Sequence, residues 1–231
     1  RCVFMSENIS KQDSIEQRSL NFIKSNLDKE HCFGLTDQQF YQLKSWIENA
    51  QLSTHSTKFP DIIFDNGFIE HFAVTSSFED RKGARQTRES KKFKTNSETN
   101  FLNNLDNSEQ YELASNSYSR PFEQHTHYNI LKSIQKNWSK HIASYEKSMN
   151  SSEHRIFLLE YSDVNIHTAI TCKNEPAEVF ESYRISADKI LLEWIYKYKE
   201  KIDYLILINP VSFSLEVIKI DNIPKLLEKE I

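Results

Sequence analysis

The chain has 231 residues, of which 38% are hydrophobic and 27% are charged, and its net charge is −4 at pH 7. The mean hydropathy of −0.63 and the short apolar runs predict a protein without membrane spans, and three widely spaced cysteines are typical of the reducing cytoplasm. The charge argues against a protein that coats nucleic acid with its whole surface, and the three glycines cannot form a P-loop or a dinucleotide-binding motif.

Two helices are predicted within residues 10–50. Ser14 and Gln17 have the spacing of a capping box at the start of an amphipathic helix over residues 14–26. Thr36 and Gln39 repeat that spacing before a second and better amphipathic pattern. Both helices are expected to cover a sheet that is built later in the chain.

Residues 58–77, KFPDIIFDNGFIEHFAVTSS, contain two short apolar runs separated by Asp-Asn-Gly. Asn66-Gly67 between apolar runs predicts a β-hairpin, because both residues tolerate the positive φ of a type I′ turn. The hairpin is the strongest local prediction in the chain.

The predicted register brings two acids together. It pairs Ile63 with Glu70 and Asp61 with Phe72, and alternation along a strand puts these four side chains on one face. Asp61 and Glu70 are then diagonal neighbours. Their repulsion would be relieved by Mg²⁺ or Mn²⁺, which can polarise a phosphodiester and activate water. The competing interpretation is that both acids face water, with Asp61 capping the strand after Pro60.

Residues 78–124 are predicted to form a long polar insertion with little periodicity. Its first part is strongly basic, and such clusters bind phosphate backbones without regard to sequence. A solvated loop would have the same composition. The candidate nucleic-acid contacts in this part are Arg81, Lys82, Arg85, Arg88, Lys91 and Lys92.

The remaining pattern predicts helices over residues 128–145, 186–202 and 222–229 and strands over 155–161, 204–209 and 215–220. This order indicates a single α/β domain over residues 1–231, with a central mixed sheet flanked by helices. Lys132, Lys136 and Lys140 form one stripe on the predicted helix 128–145. That stripe is either a phosphate contact or a water-facing side of the helix.

Three further groups are weaker candidates. His125 and His127 could contribute to a zinc site, which would need three or four ligands. Glu160 ends a predicted strand, where it could supply another carboxylate or cap the following turn. His71 adjoins Glu70 but points to the opposite face in the predicted register.

Pro60-Asp61, with Glu70 nine residues after Asp61, resembles the motif of the PD-(D/E)XK nuclease superfamily. In that restriction-endonuclease-like fold, a helix precedes a hairpin that carries the metal carboxylates, and a helix and a strand complete an αβββαβ core. The likeness covers the order of elements over roughly residues 36–161. It implies metal-dependent cleavage of DNA, less often RNA, with Asp61 and Glu70 as ligands of Mg²⁺ or Mn²⁺, in restriction or phage defence.

Phe72 stands where the family carries a lysine that orients the attacking water or helps to deprotonate it. Lys58 and Lys82, on either side of the hairpin, are candidate catalytic substitutes for it. The resemblance also includes inactive relatives that have lost this group.

The expected function is therefore that of a cytoplasmic, metal-dependent endonuclease acting on DNA or RNA, without a membrane partner and with a homodimer left open. The alternative is a non-catalytic module that binds nucleic acid or protein, an inactive relative of such nucleases. Phe72 is the feature that favours this alternative.

Overall fold

The computed structural model describes residues 11–54, 59–77, 84–106, 125–148, 151–163, 166–170, 178–180 and 182–228. In chain order its elements are α1 (Lys11–Asn26), β1 (Cys32–Phe33), α2 (Asp37–Asn49), β2 (Gln51–Leu52), β3 (Ile62–Phe64), β4 (Gly67–Val74), α3 (Ala84–Asp106), α4 (His127–Ser148), β5 (His154–Tyr161), β6 (Thr168–Ile170), β7 (Glu178–Phe180), α5 (Lys189–Tyr196), β8 (Tyr204–Asn209), β9 (Ser214–Lys219) and α6 (Ile223–Leu227). The predicted α/β class, with a mixed central sheet flanked by helices, is confirmed.

The central sheet has the strand order β1-β9-β8-β5-β4-β3-β2. Strands β2, β3 and β4 form an antiparallel meander, whereas β4, β5 and β8 run parallel to one another. Strand β9 returns antiparallel to β8 and pairs in parallel with β1. Strands β6 and β7 form a separate antiparallel pair. The carboxyl ends of β4, β5 and β8 therefore meet at one edge of the sheet, and the β3–β4 turn lies at the other.

Helices cover both faces of this sheet. On one face, α4, α5 and α6 pack against side chains such as Phe72 and Phe157, and Trp138 of α4 is fully buried among them. On the other face, α1 and α2 pack against side chains such as Ile62 and Ile69. Because both faces of β4 are covered, this strand is buried along nearly its whole length, and Glu70 and His71 are buried polar residues at its centre.

The hairpin exists, but its predicted register was wrong by two residues. Ile62 pairs with Ile69 and Phe64 with Gly67, so the two-residue loop is Asp65-Asn66. Asn66 supplies the positive φ, 57°, and Gly67 is the first residue of β4. A Cβ on Gly67 would overlap the Phe64 ring and lie 2.8 Å from a backbone carbonyl of β5. The glycine is thus needed for close packing and not for the turn.

The polar insertion was also predicted incorrectly in part, because residues 84–106 form the helix α3. Residues 78–83 and 107–124 lie outside the described part of the chain. Between residues 92 and 103 only Phe93, Ser97 and Phe101 are half-buried, and the other side chains are exposed. This stripe is too narrow and too polar to register as an amphipathic pattern, although Lys, Arg, Glu and Gln all have good helix propensity.

Several element boundaries differ from the prediction. Helix α1 begins three residues before Ser14, so the expected capping box is absent there, whereas Thr36 and Gln39 do cap α2 reciprocally. The predicted helix over 186–202 is a 3-10 turn followed by the shorter α5. Strands β1, β2, β6 and β7 have two or three residues each, too few to show a period. None of the helices in the described segments combines the length and the apolar character needed to cross a bilayer.

Candidate functional site

Asp61 and Glu70 come together at the base of the β3–β4 hairpin. The observed register, continued by one residue beyond Ile62, sets Asp61 directly opposite Glu70. A shift of two residues leaves the facing of every side chain unchanged, because side chains alternate with a period of two. The hairpin therefore still brings the two acids together, although its register differs from the predicted one.

The pKa of Asp61 is raised to about 8. Burial is the largest cause, and the neighbouring charge of Glu70 is the second. Glu16 of α1 acts in the same direction, whereas a hydrogen bond from the His71 backbone N–H to Asp61 Oδ2, 2.8 Å long, lowers the pKa. The repulsion between the two carboxylates thus exceeds the stabilisation by this one donor. At neutral pH Asp61 holds a proton unless a cation replaces it.

Glu70 is almost fully buried, with 5% of its side chain exposed. Its Oε1 lies 2.5 Å from Nδ1 of His141, which projects from α4. Its Oε2 is buried and, within the described part of the chain, has no hydrogen-bond partner. Buried carboxylate oxygens are nearly always paired, so this atom requires a partner that the described residues do not provide.

Phe72, where the resemblance predicts a lysine, points to the same face as Glu70. It is 5% exposed and stacks on the His141 ring, with the ring centroids 4.6 Å apart and the planes at 14°. It also meets Phe157 edge-on at 5.5 Å. Instead of a flexible cation, the site has an aromatic side chain that holds the His141 imidazole against Glu70.

The opposite face of β4 carries a second polar cluster, formed by Ser19, His71 and Glu160. Glu160 Oε2 accepts a 2.6 Å hydrogen bond from Ser19 Oγ of α1 and lies 3.2 Å from His71 Nε2. Burial alone would raise the pKa of Glu160, but the hydrogen bonds from His71 and Ser19 outweigh it and lower this pKa to about 2. His71 points away from Glu70, as predicted, and Glu160 joins this cluster instead of the Asp61–Glu70 pair.

The carboxyl edge of the sheet holds further polar contacts at the start of α4. Ser76 Oγ lies 2.7 Å from His125 Nδ1 and 3.0 Å from the donating hydroxyl of Tyr161. His127 turns elsewhere and lies 2.6 Å from Asp188 Oδ2. The two histidines therefore have different partners, which does not favour the zinc site considered from their spacing.

The predicted basic residues fall into three groups. Lys58, Arg81 and Lys82 lie outside the described residues. Arg85, Arg88 and Lys91 belong to α3, for which only the backbone is described at these positions. Four of the lysines are exposed: Lys92 of α3 and Lys132, Lys136 and Lys140 of α4. Exposure is expected both for lysines that contact phosphates and for lysines that only face water.

Pattern reasoning did not find His141. It lies three residues after Trp138 and seven after Ile134, on the buried face of α4. The available signal was a single titratable residue on an otherwise apolar helix face. Its partner, Glu70, is 71 residues away in the chain, and no local rule connects them.

Asp61 and Glu70 by themselves supply only part of the ligand set that a hard divalent ion needs. Among the residues that the structure describes, no three His, Cys, Asp or Glu side chains converge to form a complete metal site. Two carboxylates are nevertheless a common protein contribution to Mg²⁺, which usually keeps several waters and binds substrate phosphate oxygens.

Known proteins give no indication of the function, so a functional conclusion rests on the arrangement of the residues described above. No family model, no curated protein and no solved structure matches this chain significantly.

Proposed function

We propose that this protein is a metal-dependent nuclease of the PD-(D/E)XK type, in which Asp61 and Glu70 hold Mg²⁺ or Mn²⁺ and the substrate is the phosphodiester backbone of DNA or RNA. The observation that carries the proposal is the buried Oε2 of Glu70, which has no hydrogen-bond partner among the described residues, together with the raised pKa of the neighbouring Asp61. The raised pKa means that the pair resists carrying two negative charges, and a cation at this place would relieve that cost.

A divalent cation satisfies this site better than a proton does. A proton shared with Asp61 would neutralise one charge and satisfy one oxygen, whereas an ion between the two acids would interact with both of them. When bound, Mg²⁺ or Mn²⁺ would polarise the phosphodiester and make a bound water more acidic. By holding the ion in a fixed position, the two acids would orient the scissile phosphate that binds to it.

The order of elements gives independent support. Helix α2, the meander β2–β3–β4, helix α4 and strand β5 follow one another as αβββαβ when the intervening helix α3 is set aside, and β5 pairs in parallel with β4. This is the element order of the restriction-endonuclease-like core. Asp61 precedes the middle strand of the meander and Glu70 lies in its third strand, which are the places that the family motif requires.

His141 is the best candidate to replace the missing lysine. If its Nδ1–H donates to Glu70 Oε1, its Nε2 is left as a proton acceptor close to the carboxylates. Stacking on Phe72 fixes the plane of the imidazole. With 16% of its side chain exposed, His141 is sheltered but open enough to exchange a proton with water. We therefore assign to His141 the general-base role considered earlier for Lys58 and Lys82.

The exposed lysines support a nucleic-acid substrate. Lys132 and Lys136 lie on α4, the helix that carries His141, and Lys92 is exposed on α3. Backbone phosphates would bind these cations by counterion release, in a manner that weakens steeply with salt.

Nuclease assays with isosteric variants test the proposal. Plasmid DNA and single-stranded RNA are incubated with Mg²⁺ or Mn²⁺ and with the wild type, Asp61→Asn or Glu70→Gln. Both variants should lose cleavage at least 10²-fold, because each removes one anionic ligand. His141→Gln should lose roughly 10²–10⁴-fold in rate, the usual contribution of a general base, while Mn²⁺ affinity measured by calorimetry stays within a few-fold of the wild type.

Asp65→Asn is the matched control, since Asp65 is an exposed carboxylate in the turn of the same hairpin. It should retain both cleavage and Mn²⁺ binding. Absence of cleavage and of Mn²⁺ binding in the wild type, with both nucleic acids, would refute the enzyme. Retardation of nucleic acid on a gel under those conditions would instead support the non-catalytic binding module, which the burial of Phe72 at the lysine position favours.

A further inference from the structure

A cavity of about 470 Å³ lies between the β6–β7 pair and the start of α5. This volume falls within the range of about 300–1,000 Å³ that is typical of small-molecule sites. The cavity shares no residue with the carboxylate pair. His127, in its wall, precedes His141 by fourteen residues of α4, which is roughly 21 Å along the helix axis at 1.5 Å per residue.

Basic side chains dominate the polar wall of this cavity. Arg184, Lys189, His127 and His167 all line it, against one carboxylate, Asp188. Lys189 and His167 are exposed, and Arg184 is half-buried. Such a wall attracts anions when the oxygens of the single carboxylate are already occupied by donors of their own.

The hydrogen bonds of Asp188 meet that condition. Its Oδ2 accepts a 2.5 Å hydrogen bond from the Tyr183 hydroxyl and lies 2.6 Å from His127 Nε2. Its Oδ1 accepts from the Leu191 backbone N–H at 3.0 Å, which caps α5. Both oxygens are therefore engaged by donors that hold the wall together, which reduces their repulsion of an anion at Arg184 and Lys189.

Arg184 has a guanidinium N–H without a partner in the described part of the chain. Its Nε is buried and has no hydrogen-bond partner among the residues in the described ranges. The guanidinium lies over the Phe180 ring, 4.5 Å from the centroid, and NH1 is 3.8 Å from Glu216 Oε1. Arginine held in this way matches the geometry of a phosphate, which accepts several N–H groups at once.

The backbone that carries Arg184 is anchored on two sides. Its own N–H donates to Thr168 Oγ1 of β6 at 2.9 Å. The next residue, Ile185, donates its backbone N–H to the buried Glu216 of β9 at 2.6 Å. The basic group is thus preorganised by contacts to both sheets, as a binding site requires.

Apart from Thr168, the rest of the wall is largely apolar. Ile166, Ala169, Ala187, Tyr183 and Ile190 line it, and Ile190 is 64% exposed although it is a large hydrophobic residue. An inorganic anion would leave this surface uncovered, whereas an organic body attached to the anion would bury it. The wall therefore suits a ligand with one anionic end and one flat or apolar end.

We propose that this cavity binds a phosphate monoester carried on a heterocyclic body, of which a nucleoside monophosphate is the simplest form, with Arg184 and Lys189 holding the phosphate and Ile166 and Ile190 covering the ring. The ligand can come from two sources, a free nucleotide or the phosphorylated end of a nucleic-acid strand. The site does not depend on the carboxylate pair, and it can be tested without any cleavage reaction.

Calorimetric titration in EDTA, which prevents metal-dependent cleavage, tests the proposal with AMP, adenosine, inorganic phosphate and a short single strand with or without a 5′-phosphate. AMP should bind at least tenfold more tightly than adenosine or inorganic phosphate alone. Tighter binding of the phosphorylated strand than of AMP would identify a strand end as the ligand, and the reverse order a free nucleotide.

Lys189→Glu should weaken AMP binding at least tenfold. The change is compatible with folding, because Lys189 is exposed and an acidic residue in the first turn of a helix is favourable. Lys199→Glu, an exposed lysine just after α5, is the control and should leave binding unchanged. Equal affinity for AMP and adenosine, no binding of any probe, or the same loss in both variants would overturn the proposal.

Discussion

Replacing Asp61 by Asn should change how the stability of the protein depends on pH. Asn keeps the size of the side chain and an oxygen that can accept from the His71 backbone N–H, but it cannot ionise. The substitution therefore removes the charge opposite Glu70 and little else. Its effect measures the cost of ionising Asp61 in the folded protein, of which burial is the largest cause and the charge of Glu70 the next.

The sign follows from proton linkage. The pKa of Asp61 is about 8 in the folded protein, because of burial and then of Glu70, against an ordinary value of 3.8. Between these values the folded chain holds a proton that the unfolded chain has released, so the free energy of unfolding falls as the pH rises. One proton corresponds to about 1.4 kcal/mol per pH unit, which gives at most about 4 kcal/mol between pH 5 and pH 8.

The measurement is the free energy of unfolding by urea at pH 5, 6, 7 and 8 for the wild type and for Asp61→Asn. The wild type should lose stability relative to the variant by up to about 4 kcal/mol across this range. Taking the difference cancels the contributions of the other titrating groups. Asp65→Asn, which removes an exposed carboxylate from the turn of the same hairpin, is measured in the same way as the control.

A flat difference for Asp61→Asn between pH 5 and pH 8 would refute the reasoning, since it would mean that neither burial nor Glu70 raises the pKa of Asp61 in the folded state. Mn²⁺ extends the test. A cation that binds the ionised pair should stabilise the wild type at pH 8, by about 2.7 kcal/mol at a concentration 100 times its dissociation constant, and should leave Asp61→Asn nearly unaffected.

Three further predictions concern the frame of the site. Gly67→Ala should destabilise the protein by about 1–3 kcal/mol in urea unfolding, because the new methyl group overlaps the Phe64 ring; a smaller loss would mean that the hairpin packs less closely. Glu160→Gln should remove stability that the wild type has above about pH 4.5 and loses as the pH falls towards 2; unfolding curves of wild type and variant that keep a constant separation over this range would contradict the lowered pKa. Trp138→Phe should cost far less than the roughly 3–5 kcal/mol of Trp138→Ala, because Phe keeps the edge-on contact with Phe157 and removes an indole N–H that has no partner in the described structure; equal costs would contradict this.

Helices and strands with a strong apolar period could be predicted from the sequence. Helix α4 and strands β5 and β8 lie within three residues of their predicted bounds, because their apolar spacing follows directly from the faces that they bury. The polar helix α3 and the strands of two or three residues could not be predicted. Their apolar pattern is weak or too short, and tertiary contacts decide whether they form.

The carboxylate pair illustrates the same division. The Asp61-to-Glu70 spacing and the period of two along a strand were sufficient to bring both acids to one place, even though the turn itself was assigned one residue too late. The facing of His71 away from Glu70 followed from the same alternation.

Only the tertiary structure decided what surrounds these acids. His141 reaches Glu70 across 71 residues, and Ser19 reaches Glu160 across 141, through helices that pack onto opposite faces of the sheet. Burial is the largest cause of the raised pKa of Asp61, and Glu16 of the distant helix α1 adds to it after Glu70. Local sequence determines which way a side chain points from its own strand or helix, whereas the groups that it meets depend on how distant elements pack, and the charge of a buried acid depends on those groups.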